Sequence, residues 1–104
     1  MADTDMTVEE REAFLADTHV GVLSIAREGK GPLALPIWYL YRDGDVILSM
    51  NGTSLKADLL RKRGRATLTA QQESLPYQYV MVEGPVTVNH EDLDVAELAI
   101  HYLG

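Results

Sequence analysis

The chain has 104 residues, 46% hydrophobic and 24% charged, with no cysteine and a formal net charge of −7. That length allows one domain with one small core, and the missing thiols exclude disulfides, thiolate catalysis and Cys-ligated metals. The acidic balance argues against nucleic-acid or anionic-membrane partners, and the acidic N-terminus lacks both a secretory pattern and an apolar run near the ~20 residues that span a bilayer, so the cytoplasm is the expected compartment.

Thr7 followed by Glu10 has the spacing of a capping box, and Val8, Phe14 and Leu15 give the next turns an apolar side, which predicts a helix from Thr7 to Ala16. His19 to Ala26 is rich in β-branched residues and closes on Glu28-Gly29-Lys30-Gly31, a strand and a turn. A second strand starts near Pro32 and runs through Trp38 to Tyr41, and Asp43-Gly44 turns it into a returning strand, Asp45 to Met50. Asn51-Gly52-Thr53-Ser54 is turn chemistry. Thr53 or Ser54 can cap a short helix whose apolar face is Leu55, Leu59 and Leu60 and whose stop is Gly64. Arg65 to Gln72 and Tyr77 to Val88 alternate as strands, with a bend or bulge expected at Gly84-Pro85. Asp92 to Leu103 is expected to close the chain as a helix with Asp92, Asp94 and Glu97 in its acidic start.

Five strands joined by hairpins, with short helices between them, imply a mainly β fold, an antiparallel barrel or strongly coiled sheet, since closure removes exposed edges. The count falls one strand short. The expectation is therefore a single domain over residues 1–104, shortened at its C-terminus or dependent on a partner subunit to cover an edge; either favours a dimer.

The charge is uneven. Five of nine Lys and Arg residues, Lys56, Arg61, Lys62, Arg63 and Arg65, lie within ten positions, opposed only by Asp58. The last turn of the second helix explains Arg61, Lys62 and Arg63 as a solvated, dipole-favoured end. Lys56 is different, because a cation in the first turn is disfavoured by ~0.3–1 kcal/mol unless an anion rests there. Free backbone N–H groups, the hydroxyls of Thr53 and Ser54, and the Lys56 ammonium would together cradle a phosphate, with Gly52 permitting close approach. An exposed lysine paired with a nearby acid is the plain alternative.

Gly52-Thr53-Ser54-Leu55-Lys56-Ala57-Asp58-Leu59-Leu60 resembles the Ser-x-Lys-Ala-x-x-Leu phosphate-binding stretch of the pyridoxamine 5'-phosphate oxidase-like proteins. Pro36-Ile37-Trp38-Tyr39-Leu40-Tyr41-Arg42-Asp43-Gly44 is similar to that family's Pro-Val-Trp-Phe-x-x-x-Asp-Gly strand and turn. Tyr77-Gln78-Tyr79-Val80-Met81-Val82-Glu83-Gly84 resembles a stretch common in the branch that uses the deazaflavin coenzyme F-420. The resemblance implies a six-stranded FMN-binding type of split barrel, a homodimer with cofactor sites at the subunit interface. By position it implies Pro36, Ile37 and Trp38 along the tricyclic ring, Ser49, Met50 and Asn51 at its polar edge, and Ser54 with Lys56 at the phosphate. Asn51 departs from the Thr or Gly frequent in the family, and the expected C-terminal strand is missing.

The implied function is hydride transfer between coenzyme F-420 and a small organic acceptor, with an FMN-binding protein of the same fold as the nearest alternative. A non-catalytic flavin, deazaflavin or tetrapyrrole-binding module, or a barrel that only assembles, are the non-enzymatic readings. Trp38 is open between core packing and ring stacking, and the tyrosines at 39, 41, 77 and 79 read first as packing or dimer contacts. No metal site or His-based triad is legible, because His19, His90 and His101 have no partner at ligand spacing.

Overall fold

The computed structural model describes residues 7–17 and 20–101. The first helix, α1 (Val8–Ala16), opens on the anticipated capping box: the Thr7 side chain accepts from Glu10 N, and the Glu10 carboxylate accepts from Thr7 N at 2.8 Å. Those bonds hold the Glu10 carboxyl below its ordinary range. Phe14 and Leu15 turn into the core. The predicted strand start at His19 lies outside the described residues.

Strand β1 (Val20–Arg27) folds back on β2 (Lys30–Trp38) through a two-residue loop in which Gly29 has φ 71°. The long second strand of the sequence reading is two strands. Tyr39 separates β2 from β3 (Leu40–Arg42), which pairs with β4 (Asp45–Met50) through Asp43 and Gly44, at φ 52° and 85°. Two positive φ values match the twist of a two-residue hairpin. Next come α2 (Leu55–Arg63), capped by Ser54 and stopped by left-handed Gly64, and then β5 (Arg65–Gln72) and β6 (Gln78–Glu91).

Over its described part, residues 92–101, the predicted closing helix is not there; Tyr102 and Leu103 lie outside the described residues. Residues 96–101 form strand β7 (Ala96–His101), hydrogen-bonded to β4 on one side and to β6 on the other. Ala96, Leu98, Ala99 and Ile100 are buried, and strands on both flanks satisfy the backbone, so tertiary pairing overrides the local helical preference. Asp92 and Asp94 do not start a helix either. The Asp92 carboxylate accepts from Asp94 N and Val95 N at 2.8 and 3.0 Å, closing a tight turn into β7; these bonds, Val95 first, hold its carboxyl below the usual range.

The sheet order is β2-β1-β5-β6-β7-β4-β3, antiparallel throughout. Its two ends, β2 and β3, are consecutive in the chain, so the sheet curls round until its edges meet at Tyr39. Counted as one bent strand, β2 and β3 make the set six. β7 supplies the strand that the sequence reading left out, and the fold is a split β-barrel. Strand β6 makes the curl possible: it pairs with β5 as far as Pro85 and with β7 from Val86 onward. Gly84 sits at that transfer, where any Cβ would run into the His101 carbonyl. The expected bend at Gly84-Pro85 is therefore a change of partner inside a continuous strand. Alternate residues Leu23, Ile25, Val46, Leu48, Leu68, Val82, Leu98 and Ile100 fill the interior with essentially no exposure, and α2 adds Ala57, Leu59 and Leu60. Both helices span nine residues, and no helix among those described is long and apolar enough to cross a membrane.

Candidate functional site: the split at Tyr39

The β3–β4 ladder ends at the pair Leu40–Ile47. Beyond it β2 turns away to pair with β1 as far as Trp38–Val20, while β4 continues to Met50 with β7 on its other side. Past Tyr39 the facing edges of β2 and of the Leu48 to Met50 half of β4 thus have no strand between them among the described residues. This split separates Pro36 and Trp38 on β2 from Ser49 on β4. All three are exposed, and Trp38 keeps 67% of its surface.

Strand alternation sorts the remaining candidates. Ile37 and Met50 turn inward, half-buried and 8% exposed respectively, so they are left to contribute backbone at the split. Trp38 is not core, which settles its exposure against the packing alternative. Tyr39 packs against the core, its hydroxyl without a hydrogen-bond partner among the described residues. Burial, aided by the charge of Asp17, raises its phenol to about 12, so it stays protonated.

The turn between β4 and α2 organises its own polar groups. Asn51 Oδ1 accepts from Thr53 N (2.8 Å) and from the Thr53 hydroxyl (2.6 Å). Ser54 Oγ donates to the Asn51 carbonyl at 2.7 Å and accepts from Ala57 N at 3.2 Å. Both hydroxyl protons are thereby committed to the turn, a correction to their expected role as anion donors. The groups left at the helix start are the N–H of Leu55 and Lys56, which have no hydrogen bond among the described residues, and the half-buried Lys56 side chain. Lys56 has no carboxylate partner among the described residues, whereas Lys62 pairs with Asp58 at 3.1 Å. Gly52 does permit a close approach, but of protein: its missing Cβ makes room for the Asp92 carbonyl.

The basic helix end is exposed, as its sequence implies, but its arginines make specific contacts. Arg63 Nε donates to the Ala26 carbonyl at 3.0 Å, and Arg61 bonds both the Gly52 carbonyl and the Glu91 carboxylate. A second polar group joins residues far apart in sequence: His101 Nδ1 lies 2.8 Å from Asp45 Oδ1 and His101 Nε2 lies 2.6 Å from Thr87 Oγ1. It has the connectivity of a catalytic triad, but it sits on strands β4, β7 and β6 and away from the split. No set of three or more His, Asp or Glu side chains able to hold a metal occurs among the described residues.

Around the split, the outer face of β2, β1, β5 and β6 carries exposed apolar side chains interrupted by Thr69 and Gln71. The register places Pro36, Val22, Thr69 and Met81 in one row, with Trp38 beside Val20 and Gln71 beside Tyr79 in the next. Val20, Val22, Tyr79 and Met81 are 40–68% exposed. At the end of this face the β5–β6 hairpin encloses an open concavity of about 530 Å³ lined by Gln71, Gln72, Glu73, Tyr77, Gln78 and Tyr79.

A family model described as pyridoxamine 5'-phosphate oxidase matches residues 7–101. The chain belongs to that family. Solved structures with the same fold include a conserved hypothetical protein, Rv2991, of Mycobacterium tuberculosis, 18% identical over 100% of this chain and 85% of that one, at a TM-score of 0.86. A FAD-binding protein from Mesorhizobium loti is 15% identical over 95% of this chain and 90% of its own, at 0.82. An F-420 reductase is 13% identical over 89% and 93%, at 0.77. No curated protein sequence matches the chain.

Proposed function

We propose that this member of the pyridoxamine 5'-phosphate oxidase family binds a flavin-type cofactor in the split and acts as an oxidoreductase, with coenzyme F-420 as the cofactor and a small organic molecule as the acceptor. The observation that carries the reading is Lys56, a cation in the first turn of α2 with no carboxylate partner among the described residues and two free N–H groups beside it. A phosphate there would meet the helix dipole, both amides and the ammonium together.

Pro36, Trp38 and the Ile37 backbone would line one side of the tricyclic ring. Ser49, Asn51 and the Met50 backbone would face its polar edge, and Lys56, with Ser54 holding the helix start in place, would take the phosphate. The bound cofactor supplies the hydride chemistry, and the protein supplies orientation and exclusion of water. Tyr39, held protonated, contributes no base. The apolar rows from Pro36 to Met81 are suited to burial against a second copy, and we infer a cytoplasmic homodimer in which that face shields the ring. The likeness to an F-420 reductase supports the deazaflavin, and the likeness to a FAD-binding protein supports a flavin as the rival.

Titration of the purified protein with coenzyme F-420 and with FMN, followed by fluorescence, tests the choice. The expectation is tighter binding of F-420 and a loss of about tenfold on Lys56→Ala, the worth of one charge-assisted contact. Binding of FMN alone would reassign the cofactor, and indifference of both to Lys56→Ala would remove the phosphate site. Oxidation of reduced cofactor across a panel of acceptors separates an enzyme from a carrier.

A further inference from the structure

The groups proposed to hold the phosphate lie in the first turn of α2, directly after a turn over residues 51–54 that does not fix its own orientation. Within 51–54 the hydrogen bonds are local, running from Thr53 and Ser54 back to Asn51. What ties this turn to the barrel comes from elsewhere. The Arg61 guanidinium reaches back nine residues to the Gly52 carbonyl and at the same time forms an ion pair with Glu91, near the end of β6. The Asp92 carbonyl also fills the space where a Cβ of residue 52 would stand. Residues 91 and 92 thus grip the turn twice, once through a guanidinium and once through bare backbone contact.

Arg61 is about one and a half helical turns from Lys56, yet its positive charge is matched by Glu91 and its Nη2 is held by the Gly52 carbonyl and the Glu91 carboxylate, so it is assigned to the turn and not to the phosphate. Its side chain retains 31% exposure and that of Glu91 38%, which puts the pair in a setting where charge-assisted bonds outweigh fully solvated ones.

We propose that Arg61, oriented by Glu91, is a positioning residue for the anion site: it holds the Gly52 carbonyl so that the N–H groups of Leu55 and Lys56 face a phosphate. This rests on the phosphate reading above and extends it to a residue that touches no ligand. Donors displaced by a fraction of an ångström lose most of their advantage over water, so the effect is specific to the phosphate and absent for the ring.

The test compares matched probes with and without phosphate: FMN against riboflavin, and coenzyme F-420 against its phosphate-free chromophore, each titrated by fluorescence and read for the pair that wild type binds more tightly. Arg61→Met is expected to lower affinity for the phosphorylated probe about tenfold and leave the phosphate-free probe unchanged, with Arg61→Lys recovering part of the loss. Cooperative thermal unfolding checks that each variant is folded. Should Arg61→Met not fold, Arg61→Gln, which keeps a neutral donor but loses the ion pair with Glu91, carries the comparison. Equal losses for both probes, or no loss for either, would overturn the positioning role. Lys56→Ala in the same assay separates the two claims: if it lowers the ratio while the Arg61 variants do not, only the positioning role fails. If Lys56→Ala also leaves the ratio unchanged, or wild type binds neither pair, the phosphate site fails with it.

Discussion

Leu98 is the most direct probe of the strand that replaces the expected C-terminal helix. It has no exposed surface, it sits opposite Leu48 on one neighbour and Val88 on the other, and it belongs to the central cluster. Leu98→Ala removes three carbon atoms from the interior, roughly 2.4 kcal/mol at about 0.8 kcal/mol per buried methylene. The cavity left behind brings the expected loss to about 3–4 kcal/mol, because flanking strands on both sides prevent collapse. Against a total of ~5–15 kcal/mol for a domain of this size that is a large fraction, equivalent to a fall in Tm of about 12–30 °C. Urea unfolding followed by circular dichroism measures it, with an unchanged slope confirming that the native state keeps its compactness. Leu93→Ala, at a position 76% exposed, is the control and should cost under about 0.5 kcal/mol. Losses of similar size at the two positions, or a loss below about 1 kcal/mol at Leu98, would refute a central β7.

Tyr39→Phe is expected to stabilise the protein by about 1 kcal/mol in thermal melts, since it removes a buried hydroxyl without a partner. The same residue sets a pH dependence. Its folded-state value lies above the ordinary tyrosine value of 10.0, at about 12, so its contribution is complete below pH 10 and lost as pH rises through 12. Wild type should lose more stability than Tyr39→Phe across that window. Gly84→Val should prevent β6 from passing the His101 carbonyl, costing at least about 2 kcal/mol in urea titrations, or the folded state outright. Trp38, the sole tryptophan, is 67% exposed; its emission should shift to the blue and be quenched when cofactor is added, and an unchanged spectrum would place the ring elsewhere.

Much of the fold was legible because it is written in local chemistry. The Thr7–Glu10 box, the Asp43-Gly44 hairpin and the Ser54 to Gly64 caps each satisfy backbone groups within a few residues of themselves, so a short window of sequence contains the whole cause. The alternation in β5 and in the first half of β6 follows from a sheet with one face inward. The resemblance carried by residues 36–44 and 52–60 likewise led to the right family.

Tertiary structure alone decided the rest. Residues 96–101 favour a helix in isolation, and only the open backbone edges of β4 and β6 on either side make them a strand. The bend at Tyr39 arises because β2 cannot pair with β1 and continue the β3–β4 ladder at once, and that conflict opens the split. Arg61 with Glu91, and His101 with Asp45 and Thr87, join positions 14 to 56 residues apart. Which charged and polar groups meet across such distances depends on strand order, and strand order is a property of the closed sheet, not of any segment within it.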